Sequence, residues 1–176
     1  QTIRLRARIP TDGQVFSRSG VRSTRSTTLV RVDTDEGISG IGSASGNGEL
    51  IVVIVAKVIK PLLVGMDPTE IDTIWNKTYV RGGHKEFGTR GIGIVALSGV
   101  DMALWDILGK AHGVPLYQLL GGKCRDKVPV YATALYPEEP SKVARRARGF
   151  AEQGFHGVKI KVGFDLDQDI RIVRAV

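Results

Sequence analysis

The sequence predicts an α+β domain followed by the start of a parallel β/α layer, with the boundary near residues 123–127. Three observations predict it. The first 45 residues run mostly in strand-like alternation and include a hairpin centred on Asp35-Glu36-Gly37. A long apolar segment over about 91–112 has the length of a buried helix and stops at Gly113 and Pro115. After Gly122 the pattern changes to strand, helix, strand, helix, which is the grammar of a parallel sheet.

Taken in order, QTIRLRARI (1–9) alternates and reads as a strand. PTDGQVFSRSG (10–20) is rich in Gly, Ser, Asp and Pro and reads as a loop. STTLVRVDTDEGISGIGSAS (26–45) is a hairpin whose Gly37 can supply the positive φ of the turn. GNGE (46–49) reads as a loose loop before an apolar helix over about 50–63. Asp67-Pro68-Thr69-Glu70 offers an N-cap, a first-turn proline and an acidic third position, so a second helix is expected from there to about Val80. RGGHKEFGTRG (81–91) is a loop. The long helix follows, with Val95, Leu97, Val100, Leu104, Ile107 and Leu108 among its apolar positions. Apolar residues on several sides of it imply heavy burial. LYQLLGG (116–122) adds a short turn. CRDKVPVYATAL (124–135) is a charged hinge and a strand, PSKVARRARGFAEQG (140–154) an amphipathic helix, FHGVKIKVG (155–163) a strand, and DLDQDIRIVRAV (165–176) another helix. That last helix carries no stop signal, and two parallel strands alone leave their sheet edge uncovered. The sequence is therefore expected to be part of a longer polypeptide.

Charge and cysteine content narrow the function. The chain carries 25 Lys and Arg against 18 Asp and Glu, a net charge of +7. In residues 1–25, six arginines (Arg4, Arg6, Arg8, Arg18, Arg22 and Arg25) face one acid, Asp12. Arg4, Arg6 and Arg8 fit the solvent face of an alternating strand. Aromatic residues make up 6% of the chain and do not interleave with the arginines, so no base-stacking platform is present and nucleic acid is not an expected partner. The longest greasy stretch, 50–65, is broken by Lys57, Lys60 and Pro61, so no membrane span is expected. One cysteine, Cys124, excludes an internal disulfide framework and fits a reducing, cytoplasmic setting.

The chemistry-bearing motif is VKIKVG (158–163). Strand alternation puts Lys159 and Lys161 on one face, about 6.6 Å apart, and Val158, Ile160 and Val162 on the other. Two ammonium groups held this close disfavour one another's charge. One lysine can then accept a proton near neutral pH while the other stays cationic beside an anionic substrate. The same spacing also fits an edge strand with a solvated lysine face. Other candidates are weaker. Gly40, Gly42, Gly46 and Gly48 lack the spacing of a dinucleotide loop. His112 suits a helix C-terminus and His156 borders the lysine strand. Asp165, Asp167 and Asp169 complement the dipole at a helix start rather than forming a metal site. No zinc spacing and no Ser-His-Asp arrangement occurs.

Two segments carry a resemblance. GFHGVKIKVGFDLDQDIRIVRAV (154–176) resembles the second barrel strand and following helix of the mandelate racemase/muconate lactonizing enzyme family of the enolase superfamily, with its Lys-X-Lys motif. ALSGVDMALWDILGKAHGVPLYQLLGG (96–122) resembles the last long helix of that family's N-terminal domain. The resemblance covers essentially the whole chain. It implies an α+β capping domain over 1–125, with a three-stranded antiparallel sheet plus helices. The start of a (β/α) TIM-type barrel would follow over 126–176, truncated after two β/α units of a (β/α)7β barrel.

The implied activity is Mg-dependent abstraction of the α-proton of a carboxylate through an enediolate, as an acid-sugar dehydratase or racemase. The alternatives are a muconate-cycloisomerase-like lactonising enzyme and a non-catalytic capping piece that binds anions or a partner. Lys161 would be the general base, and Lys159 would tune it and touch the substrate carboxylate. Specificity loops would lie at about 11–25 and 43–49. Arg18, Arg22 and Arg25, with His84, would then be substrate-binding. The family's magnesium ligands sit on later strands, so no metal ligand is expected within these residues and the chain alone is expected to be inactive. A small carboxylate or acid sugar and a homo-oligomer are the implied partners.

Overall fold

A computed structural model describes the backbone of residues 2–8, 15–17, 20–22, 24–83 and 90–176, and side chains over 27–80, 90–133 and 135–176. The chain divides into two compact units, one of residues 1–8 with 24–123 and one of 9–23 with 124–176.

The first unit is built on an antiparallel sheet of β1 (Thr2–Arg8), β4 (Thr24–Asp33) and β5 (Ser39–Ser45), in the order β1-β4-β5. Thr2 lies opposite Val30 and Arg8 opposite Thr24; Thr27 lies opposite Ser45 and Asp33 opposite Ser39. The β4–β5 turn forms where Gly37 takes φ 80°. The Thr34 hydroxyl closes the turn by accepting from the Ile38 N–H at 3.1 Å and donating to its carbonyl at 2.9 Å. Alternation then points Thr28 and Val30 of β4, and Gly40, Gly42 and Ala44 of β5, into the core.

Onto that face packs the long helix, here α4 (Ile92–His112). It follows α1 (Gly48–Ile54), a π-helical turn (Val55–Ile59), α2 (Lys60–Leu63), α3 (Ile71–Trp75) and a second π-helical segment (Asn76–Gly83). The helix approaches β5 at distances that only glycine permits. A Cβ at Gly40 would lie 2.0 Å from the Ala103 carbonyl oxygen, and one at Gly42 would lie 1.9 Å from that of Gly99. Gly99 faces Val30 and Ala44 in turn. Val30, Ile51, Ile59, Ile74, Leu97, Val100 and Leu104 form the buried core around this contact. Each such side chain contributes about 1.5–3 kcal/mol on full burial. The helix stops where Gly113 turns left-handed at φ 66° and Val114 N–H donates to the Gly109 carbonyl at 3.0 Å. A short α5 (Leu116–Leu119) follows.

Asp106 of α4 clips the sheet edge. Its Oδ2 accepts from the Ile41 N–H at 2.8 Å and from Lys110 Nζ at 2.7 Å, while Lys110 also donates to the Ser39 carbonyl at 2.7 Å. Burial works to raise the Asp106 carboxyl, but the Lys110 and Ile41 hydrogen bonds and the Lys110 charge outweigh it, so the group is held below the usual carboxylate range. One turn earlier, half-buried Asp101 lacks such compensation and desolvation pushes it up.

Several expectations need correction. Asp67 does not cap a helix: its Oδ1 accepts from the Thr69 N–H at 2.8 Å and hydroxyl at 2.7 Å, closing a local turn, and α3 starts only at Ile71. That helix continues past Val80 as π-helix. The supposed loose loop at 46–49 is a tight link, because the Asn47 side chain caps α1 by accepting from Glu49 and Leu50 N–H. Starting within 10–20, expected as loop, is an added two-stranded antiparallel pairing, β2 (Val15–Ser17) with β3 (Gly20–Arg22). Finally, α4 has 21 residues and is long and apolar enough by composition to cross a bilayer, a test that a buried core helix also passes. Half of its most apolar window is buried, and its small residues seat it on the sheet as a core helix.

In the second unit, β6 (Ala132–Leu135) and β7 (Val158–Ile160) pair in parallel. Between them runs α6 (Pro140–Glu152), and α7 (Leu166–Ala175) follows β7. The β6 strand is shorter than expected, since Val128, Val130 and Tyr131 are exposed and outside the ladder. Leu135, Val143, Ala147 and Ile172 form the core, with Phe150, Val158 and Ile160 packed against it.

Gly42→Ala is expected to destabilise by about 3 kcal/mol or more, because its Cβ would overlap backbone rather than a movable side chain. Gly149→Ala, inside α6 with open space around it and ordinary φ, is expected to stabilise by about 0.5–1 kcal/mol. Denaturant melts of both variants check the pair. Asp106→Asn tests the clip. The folded carboxyl lies below its unfolded value, so its contribution is full above the unfolded value and is lost as pH falls through the folded one. The variant should be less stable than wild type at neutral pH, and the gap should close on acidification; a gap constant with pH would show that the charge is not involved.

Candidate functional site

The lysine strand resolves into two chemically different faces. Val158 and Ile160 are partly buried against the helices α6 and α7, while Lys159, between them, is exposed. Lys161 continues the alternation one residue beyond β7 and is also exposed. Its N–H donates to the Leu135 carbonyl at 2.9 Å, which holds the end of the lysine strand to the end of β6. Both lysines thus stand on the face opposite the helices, with Lys161 at the C-terminal end of a parallel strand.

The turn after Lys161 is fixed by backbone chemistry. Gly163 has φ 96°, and its N–H donates to Asp169 Oδ2 at 2.6 Å. The other oxygen, Oδ1, is buried and has no hydrogen-bond partner among the described residues. Asp165 caps α7 by accepting from the Gln168 N–H at 2.8 Å. Asp165 therefore serves the helix start and Asp169 the turn before it. Among the described residues no three His, Cys, Asp or Glu side chains are grouped to hold a metal ion.

Lys161 has a neighbour that the sequence did not single out. Its Nζ lies 5.3 Å from the centre of the Tyr136 ring. Tyr136 directly follows β6, and the parallel register of Leu135 with Ile160 sets it beside the lysine. The available signal was positional: Tyr136 closes the strand pattern ATAL, at the strand end where Lys161 closes its own.

Arg18 and His84 lie outside the described residues, as do the side chains of Arg4, Arg6, Arg8, Arg22 and Arg25. By backbone, Arg22 lies in β3 opposite Val15, and Arg25 lies in β4 opposite Ala7. The two arginines thus belong to different units. His112, His156 and Cys124 are exposed. In the first unit, a groove of about 690 Å³ is lined by Ile41, Met102, Trp105, Leu116 and Leu120, with Asp106 and Lys110 in its wall. Those two charges are already spent on one another and on β5. The groove therefore presents apolar surface without a group free to move a proton, whereas the lysine face presents two amines.

The family described as "Mandelate racemase / muconate lactonizing enzyme, N-terminal domain" matches residues 4–121. D-galactarolactone cycloisomerase of Agrobacterium fabrum is 36% identical over 156 residues, covering 86% of this chain and 40% of its own length. Arabinonate dehydratase of Saccharolobus solfataricus is 38% identical over 151 residues, covering 82% of this chain and 40% of its own. The chain thus spans 40% of the length of each of these relatives. A crystal structure of a racemase from Streptomyces coelicolor with bound magnesium superposes with a TM-score of 0.84 at 30% identity, over 99% of this chain and 50% of that one.

Proposed function

The chain belongs to the mandelate racemase/muconate lactonizing enzyme family, and from that premise we propose that it supplies the proton-abstracting base of an enzyme acting on a small carboxylate of the acid-sugar type. The observation that carries the proposal is the placement of Lys159 and Lys161 on the helix-free face, with Lys161 at the C-terminal end of a parallel strand. In β/α barrels that is the end where catalytic groups sit. On this reading residues 1–125 are a capping domain and 126–176 the first two β/α units of a barrel.

On this reading the roles are those that the family resemblance implies. Lys161 takes the proton from the carbon next to the substrate carboxylate, and the electron pair left behind moves into the carboxylate to give an enediolate. Lys159, two residues back on the same face, holds the carboxylate. Loss of a β-hydroxyl then completes a dehydration, and reprotonation from the opposite face completes a racemisation. Names of relatives support the first outcome, since arabinonate and D-mannonate dehydratases are among them. A lactone-forming or lactone-opening reaction is the second reading, supported by the name of the cycloisomerase relative. Arg18, Arg22, Arg25 and His84 are assigned to the anionic substrate on resemblance alone. Magnesium is bound in the Streptomyces racemase. The described residues here do not fit a metal site, so on this reading its ligands come from elsewhere in the protein.

In the whole protein, Lys161→Ala is expected to slow exchange of the substrate α-proton in heavy water by about 10²- to 10⁴-fold, the usual contribution of a general base. Lys159→Ala should cost less and act mainly on KM. Proton NMR with arabinonate and related acid sugars measures both. Wild-type exchange in both variants would remove the catalytic assignment and favour a non-catalytic anion-binding role.

A further inference from the structure

The two lysines of the motif are not equivalent, and what separates them is Tyr136. Among the described residues it is Lys161, not Lys159, whose Nζ stands over an aromatic ring, 5.3 Å from its centre. The contact is built into the sheet. The Lys161 N–H donates to the Leu135 carbonyl at 2.9 Å, so Tyr136, the residue after β6, lies beside Lys161. The ring is partly buried and the lysine exposed, so the ring is the fixed partner and the ammonium the mobile one.

An aromatic face attracts a cation through its quadrupole and does little for a neutral amine. A base that accepts a proton changes from neutral to cationic during the step. We propose that the Tyr136 ring is a positioning residue that holds Lys161 Nζ and stabilises the positive charge developing there as the substrate's α-proton is taken. The inference rests on Lys161 being the base. An interaction stronger in the charged transition state than in the ground state acts on kcat and leaves KM alone. It also gives a physical reason why Lys161, rather than Lys159, is the member of the pair that carries the proton.

The test keeps the ring's shape and changes only its charge distribution. In the whole protein, Tyr136 is replaced by Phe and then by Phe analogues bearing one, two and three ring fluorines, and α-proton exchange is measured on an acid sugar. Tyr136→Phe is expected to stay within about two-fold of wild type. Each fluorine should then lower kcat stepwise, to a total of about three- to ten-fold, with KM unchanged. A flat series, a loss confined to KM, or a Tyr136→Phe defect as large as that of the trifluoro analogue would overturn the proposal; the last would put the effect in the hydroxyl. Lys161→Ala separates the two levels. If it abolishes exchange while the fluorine series is flat, only the role of the ring falls. If exchange survives in Lys161→Ala, the base assignment falls and this inference falls with it.

Discussion

The first unit depends on the absence of side chains at three positions. Gly40, Gly42 and Gly99 let α4 rest its backbone directly on β5, where any Cβ on the strand would collide with the Ala103 or Gly99 carbonyl. Backbone collisions of that kind cannot be relieved by a rotamer change. The close approach then decides what else is possible. It brings the Asp106 carboxylate within reach of the Ile41 N–H on the open edge of the sheet, and Lys110 within reach of the Ser39 carbonyl. Exposed sheet edges are places where proteins pair wrongly, and here a helix side chain occupies the edge. It also aligns the buried stripe of α4, from Ala96 through Ile107, with Val30 and Ala44 of the sheet.

In the second unit the organising constraint is the two-residue period of a strand. The side chains that alternate along 158–161 are divided between a hydrophobic face that packs under two helices and a cationic face that does not. Neither face can be altered in register without exchanging both. The parallel ladder ends with Lys161 tied to Leu135, and the left-handed Gly163, held by Asp169, turns the chain away immediately after. The amine that does the proposed chemistry therefore sits on the last ordered rung of a strand rather than on a free loop. That placement limits where its Nζ can go.

Much of this was legible in the residues. The alternation of β4 and β5, the turn at Gly37, the long helix ending at Gly113 and the lysine strand are all written in local periodicity and in residues with special backbone freedom. The misreadings share a cause. Asp67-Pro68-Thr69-Glu70 has the composition of a helix start, but the Asp67 side chain found a nearer partner in Thr69 and closed a turn instead. The helix expected over about 50–63 does run through Pro61, but it widens to π geometry on the way, with Lys60 N–H reaching back to the Val55 carbonyl. In both places competing local hydrogen bonds of similar strength were available, and only the packed chain selected one.

By itself, the sequence determined the main sheet strands, the long helix and the β/α order of the second unit, which face of the lysine strand is apolar, and which two amines share the other face. These depend on periodicity and on neighbours within a few residues. Tertiary structure decided that Gly40, Gly42 and Gly99 are contact points rather than loop glycines, that Asp106 clips a strand edge 65 residues away, and that Tyr136 lies beside Lys161 and not Lys159. Those pairings join residues far apart in the chain. Their partners are set by strand register and helix approach, which come into being only when the layers pack.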